Sequence, residues 1–236
     1  WLILLPLGKA FSESWCSVDS TIPKGSYATS DCLPDFTDPD AYVPSATAPL
    51  YRIPIVFHVV MGDTLGTGDV SDDSLRAQVR RLNQDFLAIP GTSSGNGYNT
   101  RIMFSVAAYD SSGNPTTGIE RIANSTWYSQ MDYNLGAKRP NAADSAACLQ
   151  LSWDATRYLN LYTTGSTITV GGYAQYPWEA LGTYMDGVRI DSMFVRSAWS
   201  GMQNGGRIAV HEIGHWLGLW HDWDHNSCDL DCYNAG

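Results

Sequence analysis

Residues 207–221 read Arg-Ile-Ala-Val-His-Glu-Ile-Gly-His-Trp-Leu-Gly-Leu-Trp-His, and this is the stretch whose residue types and spacing could do chemistry. His211 and His215 are four positions apart, so on a helix their imidazoles leave one face close enough to share one metal ion. Glu212 adjoins the first histidine, and that offset keeps its carboxylate from ligating while leaving it beside the position where a metal-bound water would sit. Gly218 can adopt the left-handed conformation that stops a helix, which lets the chain turn back and bring His221 to the same ion. Three imidazoles and a water make an open zinc site, whereas a purely structural zinc is closed by four protein ligands.

Chance is a poor account of this pattern. A bare His-Glu-x-x-His arises in on the order of one chain in a few hundred of this length, and requiring the glycine and third histidine lowers that roughly a thousandfold. The chain has five histidines, four of them at 211, 215, 221 and 225. The fifth, His58, lies inside an apolar run. A lone histidine in a strand is more often a satisfied core residue than a ligand, so His58 is left out of the site.

At these residues the chain resembles the metzincin metallopeptidases, whose long zinc motif is followed by a methionine turn beneath the metal. The stretches Ile53–Val60, Leu82–Phe86, Tyr158–Tyr162, Gly172–Pro177 and Asp186–Ile190 are similar, in the same order, to the pappalysin (cytophagalysin-like) group. The resemblance covers roughly residues 50 to 221. It implies a zinc-dependent endopeptidase acting on protein or peptide substrates, with zinc on His211, His215 and His221 and with Glu212 as general base. It also implies a fourth strand running antiparallel along the cleft's upper edge, where an open row of backbone groups can pair with extended substrate. Cleavage beside basic residues is common in the group, and a chain of net charge −10 would attract such substrates.

The elements that must position the motif follow from periodicity. The run Arg52–Met61, rich in β-branched residues, predicts a buried strand. Ser71-Asp72-Asp73 opens a helix with a capping hydroxyl and two acids at the positive end of the dipole, and Leu75, Val79, Leu82 and Phe86 recur at helical spacing up to Pro90. Strands are expected at Arg101–Tyr109, Tyr158–Thr163, Val170–Tyr176 and Met185–Val195. Pro177, which cannot donate to a neighbour, suits the end of a strand at the sheet's edge. Thr116–Trp153 shows no settled period and is expected to be mostly loop. The expected fold is therefore α/β (α+β): a metzincin-like five-stranded mixed sheet with a backing helix and an active-site zinc helix.

The remainder bounds the setting. With 236 residues, 44% of them hydrophobic, the chain can bury a sizeable core. Only 14 basic residues and a net charge of −10 argue against nucleic acid or an anionic membrane as partner, and no stretch has the length of a membrane span. Residues 1–12 resemble the latter part of a secretory signal, 13–50 read as a pro-segment or linker, and 51–236 as the catalytic domain. Secretion is the corresponding localisation, and the acceptor triplet Asn124-Ser125-Thr126 fits it.

Five cysteines leave one unpaired if all pairing is internal. Cys16 and Cys32 could close a small disulfide loop, or one of them, Cys32 or else Cys16, could occupy zinc's fourth position in a latent precursor. The loop Asp222–Asp231 carries four carboxylates and could hold calcium, although a solvated acidic loop is the plainer reading. No methionine follows Met202. The expectation is a C-terminally truncated lower subdomain, which keeps open a non-catalytic zinc-binding or adhesive module and an inactive fragment. A hydrolase of non-peptide amides or esters would use the same zinc chemistry.

Overall fold

In the computed structural model the described residues are 45, 47–134, 139–165, 171–197 and 206–219. The expected signal and most of the expected pro-segment, Cys16, Cys32, Cys228, Cys232, Val170, His221 and the acidic loop lie outside them.

The first strand, β1 (Tyr51–Met61), is the spine. Ile55, Val56, Phe57, Val59 and Val60 are fully buried, as a strand covered on both faces requires. Helix α1 (Asp72–Phe86) follows, with the Ser71 hydroxyl accepting from the Ser74 amide and Asp72 and Asp73 in its first turn. Next come β2 (Ile102–Val106) and β3 (Ile119–Ala123), then α2 (Ser125–Gln130), the two-residue strands β4 (Tyr133–Asn134) and β5 (Arg139–Pro140), and α3 (Ala142–Leu151). Strand β6 (Leu159–Thr164) leads to β7 (Gly172–Ala174), α4 (Pro177–Ala180), β8 (Val188–Asp191), α5 (Ser192–Ser197) and α6 (Arg207–Trp216).

The main sheet has the order β2-β1-β6-β8-β7. β1 lends one edge to two strands end to end, Tyr51–Ile55 to β2 and Phe57–Met61 to β3, so six strands make a sheet five strands wide. All its pairings are parallel except that of β7 with β8. The expected mixed sheet with an antiparallel edge strand is thus present. β2 has its outer side covered by a side chain: Asn83 of α1 donates to the Phe104 carbonyl at 2.9 Å and accepts from the Phe104 amide at 2.7 Å, as a neighbouring strand would.

One face of the sheet packs Ile55, Phe57, Phe104, Leu161 and Ile190 against Leu75, Val79, Leu82 and Phe86 of α1 and Ala209 and Ile213 of α6. Each of the larger side chains among these contributes about 1.5–3 kcal/mol on full burial, so the helix that carries the histidine motif is seated by ordinary hydrophobic packing. The opposite face is covered by α2 and α3, with Val60, Tyr162, Met131, Ala147 and Cys148 in contact.

Three expectations need correction. Thr116–Trp153 is not mostly loop, since it holds a strand of the main sheet and the ten-residue helix α3. The buried positions of α3 are Asp144, Ala147 and Cys148, a small, partly charged set that leaves no apolar stripe to read. The segment Met185–Val195 is a strand only over β8, because the Asp191 carboxylate accepts from the Met193 amide at 2.8 Å and starts α5. The strand expected at Arg101–Tyr109 is shorter, β2 ending at Val106, and Tyr109 instead bridges Pro115.

Candidate metal centre

Helix α6 is fixed at both ends before its histidines do anything. Gly206 caps it in the left-handed conformation (φ 77°), and the buried Gln78 side chain of α1 donates to the Gly206 carbonyl at 2.8 Å. Arg207 pairs with Asp85 in the last turn of α1 at 3.4 Å. At the other end the Trp216 indole donates to the buried Asp186 carboxylate at 2.6 Å, and the second oxygen of Asp186 accepts from the Gly182 amide at 2.7 Å. These contacts tie the helix to α1 and to the loop ahead of β8.

His211 and His215 project from this helix one turn apart. Their Nε2 atoms stand 3.0 Å apart and their rings are nearly perpendicular at 89°. The Leu219 carbonyl lies 2.7 Å from His215 Nδ1. A carbonyl only accepts, so Nδ1 carries the proton and Nε2 keeps its lone pair, the tautomer a metal ligand needs. The carbonyl is in reach because Gly218 turns the chain at φ 95°, with its amide on the His215 carbonyl at 2.8 Å and the Leu219 amide on Gly214 at 2.9 Å. Gly218 therefore ends the helix as the sequence implies, and it also orients the second histidine. Tyr176 sets its ring edge-on to His215 at 5.6 Å between centroids.

Glu212 is fully buried and faces β7. A Cβ built on Gly172 would lie 3.1 Å from Glu212 Cγ, and one on Gly171 would lie 2.7 Å from Ile208 Cδ1. The two glycines let the helix come down onto the edge strand. Beside His211 opens a cavity of about 300 Å³ lined by Asp85, Phe86, Thr100, Val210 and Leu219 among others.

Among the described residues no group of three or more His, Cys, Asp or Glu is gathered to hold a metal. His211 and His215 supply two imidazole donors that converge, with one tautomer fixed, and this fits a zinc ion. The third expected donor, His221, lies outside the described residues. His58, excluded on sequence grounds, is a satisfied core residue: its Nδ1 lies 2.9 Å from Glu120 and its Nε2 3.0 Å from Asn160. The contributions of Gly172, Tyr176 and the Asp186–Trp216 contact carry no signature of their own in the sequence.

No family model matches the chain. Its relatives are extracellular metalloproteases. One from Colletotrichum graminicola is 30% identical over 182 residues, covering 75% of this chain and 53% of that protein. Another, from Arthroderma benhamiae, is 27% identical over 197 residues, 79% of this chain and 54% of that protein. The chain spans about half the length of the curated relatives it matches. Among solved structures, mature mirolysin of Tannerella forsythia in complex with a cleaved peptide superposes with a TM-score of 0.57 at 30% identity, covering 75% of this chain and 66% of that one. A promirolysin mutant from the same organism superposes with a TM-score of 0.62 at 25% identity, covering 89% and 70%. The fold, a mostly parallel sheet of five to six strands with helices on both faces, is similar to that of mirolysin.

Proposed function

We propose that this chain carries the catalytic domain of a secreted zinc endopeptidase of the pappalysin group of metzincins, with zinc held by His211, His215 and His221. The observation that carries the reading is the convergence of the Nε2 atoms of His211 and His215 beside a buried glutamate, directly under a sheet edge. In this reading residues 1–12 are a signal remnant, 13–50 a pro-segment or linker, and the catalytic domain begins at 51.

Zinc bound there supplies Lewis acidity toward water and a peptide carbonyl. Glu212, held against β7 where bulk water is excluded, takes the proton of the attacking water and passes it to the leaving amine nitrogen. Among the described residues β7 pairs only with β8, so its other side can align an extended substrate through backbone hydrogen bonds. The Leu219 carbonyl keeps His215 in the ligating tautomer throughout.

The test is Glu212→Gln, compared with the unaltered sequence in the 236-residue chain and in a version extended past residue 236. Zinc content should be unchanged and hydrolysis of unfolded protein abolished, with a chelator abolishing it in the unaltered protein. Turnover retained by Glu212→Gln rejects the general-base role. Zinc bound without hydrolysis in either unaltered version rejects the enzyme reading in favour of a zinc-binding module.

A further inference from the structure

Strand β7, which forms the rim of the candidate cleft, is poorly equipped to hold itself in place. It is three residues long and among the described residues pairs only with β8. On the helix side it offers Gly172 and Ala174, and the smallness of Gly172 is what allows Glu212 to approach. Tyr173 is its one large side chain, and alternation along a strand sends it to the opposite face.

There it completes a row that crosses the whole sheet in register. Glu120 of β3 pairs with His58 of β1, His58 with Tyr162 of β6, Tyr162 with Arg189 of β8, and Arg189 with Tyr173 of β7. Each neighbour touches the next. His58 stacks on Tyr162 at 4.6 Å between centroids and 23° between planes. The Arg189 guanidinium carbon sits 5.2 Å from the Tyr162 ring centre and 5.5 Å from that of Tyr173.

Asp144 of α3 closes the row from above. It is fully buried, it accepts from Arg189 Nη2 at 3.0 Å and Nε at 3.2 Å, and its second oxygen also accepts from the Tyr173 hydroxyl. Arg189 Nη1 donates to the Met185 and Gly187 carbonyls, both at 2.9 Å, so the guanidinium is held from several directions. A buried ion pair with this many hydrogen bonds specifies one geometry better than apolar packing, which tolerates sliding.

Building on the peptidase reading above, we infer that Asp144, Arg189 and Tyr173 are positioning residues that hold the rim strand at a fixed height against Glu212 and the substrate. Tyr173 is the peg, and the Asp144–Arg189 pair is the socket on the far side of the sheet. The trio lies on the face of the sheet away from Glu212. Its effect is carried through the backbone of Gly172–Ala174 alone.

Tyr173→Phe isolates this role, because it removes one hydroxyl and keeps the ring. Hydrogen–deuterium exchange on the full chain should show β7 amides exchanging about tenfold faster, the change expected when one hydrogen bond of ordinary net strength is lost locally. Amides of β1 and β6 should keep their rates. With a peptide substrate, KM should rise while kcat stays within about twofold, since a loosened rim weakens uniform binding first.

Unchanged exchange in β7, or an equal increase across all strands, overturns the inference. If the unaltered chain hydrolyses nothing, the peptidase reading fails and the exchange measurement still decides this one. Should Tyr173→Phe not fold, Asp144→Asn is read by the same exchange criterion, because it keeps the side-chain shape while removing the charge that both partners share.

Discussion

The α-carbon of Gly172 and the Cγ of Glu212 approach so closely that one methyl group on the glycine would lie 3.1 Å from the glutamate side chain. The same methyl would sit 2.8 Å from the Arg189 carbonyl, which is sheet backbone and has little room to move. Gly172→Ala should therefore destabilise the fold by about 1–3 kcal/mol. The helix would be pushed outward along with Glu212. A urea titration gives the first number, and peptide hydrolysis at a temperature where the variant remains folded should fall further than the folded fraction does.

The Asp186–Trp216 contact holds the end of α6 that carries His215. Trp216→Phe removes the indole donor and leaves the buried carboxylate short of one partner, a change that costs about 1.5–3 kcal/mol for a hydrogen bond to a charged group. Zinc affinity, measured by competition with a chromophoric chelator, should weaken as the second histidine loses its fixed height. An unchanged affinity in a variant whose stability has fallen would show that the contact serves stability alone.

Glu120 gives the sheet a dependence on acid pH. Burial by itself would raise its pKa, but the hydrogen bond and charge of His58 outweigh this and hold the carboxyl below its ordinary value. A depressed folded pKa contributes stability that is present above the unfolded value, about 4.3, and is lost as pH falls through the folded one. With the Glu120 side chain 39% exposed, solvent screens the pair and the effect is modest. Glu120→Gln should flatten the acid limb of a plot of urea midpoint against pH below the unfolded value. The two proteins should converge only as pH falls through the folded value.

Cys148 should be inert in the native state. It is a free thiol, and burial pushes its pKa up to about 12 against the opposing influence of Arg189. Iodoacetamide at pH 8 should leave the Cys148 peptide unlabelled in folded protein and label it fully in urea, as read by peptide mass spectrometry. Labelling of native protein would mean that the Asp144–Arg189 face opens on the timescale of the reaction.

The sequence by itself determined what depends on local chemistry and on repeat length. The shared face of His211 and His215 could be read because a helix brings together residues four apart, and the stop at Gly218 because few residues other than glycine end a helix at positive φ. Helix α1 and strand β1 were equally legible, since one buries a stripe at helical period and the other a continuous apolar run.

What only the tertiary structure decided involves partners far apart in the chain. Nothing near Gly172 announces that it must be small for a glutamate 40 positions later. Asp144 reads as an ordinary acid early in an alanine-rich helix until Arg189 arrives from β8 to bury it. Helix α3 went unread for the same reason: its inward face is set by an ion pair, and a charge that is buried because it is paired leaves no hydrophobic period in the sequence. The row from Glu120 to Tyr173 exists only through strand order and register, which depend on how five separate segments pair and not on any one of them.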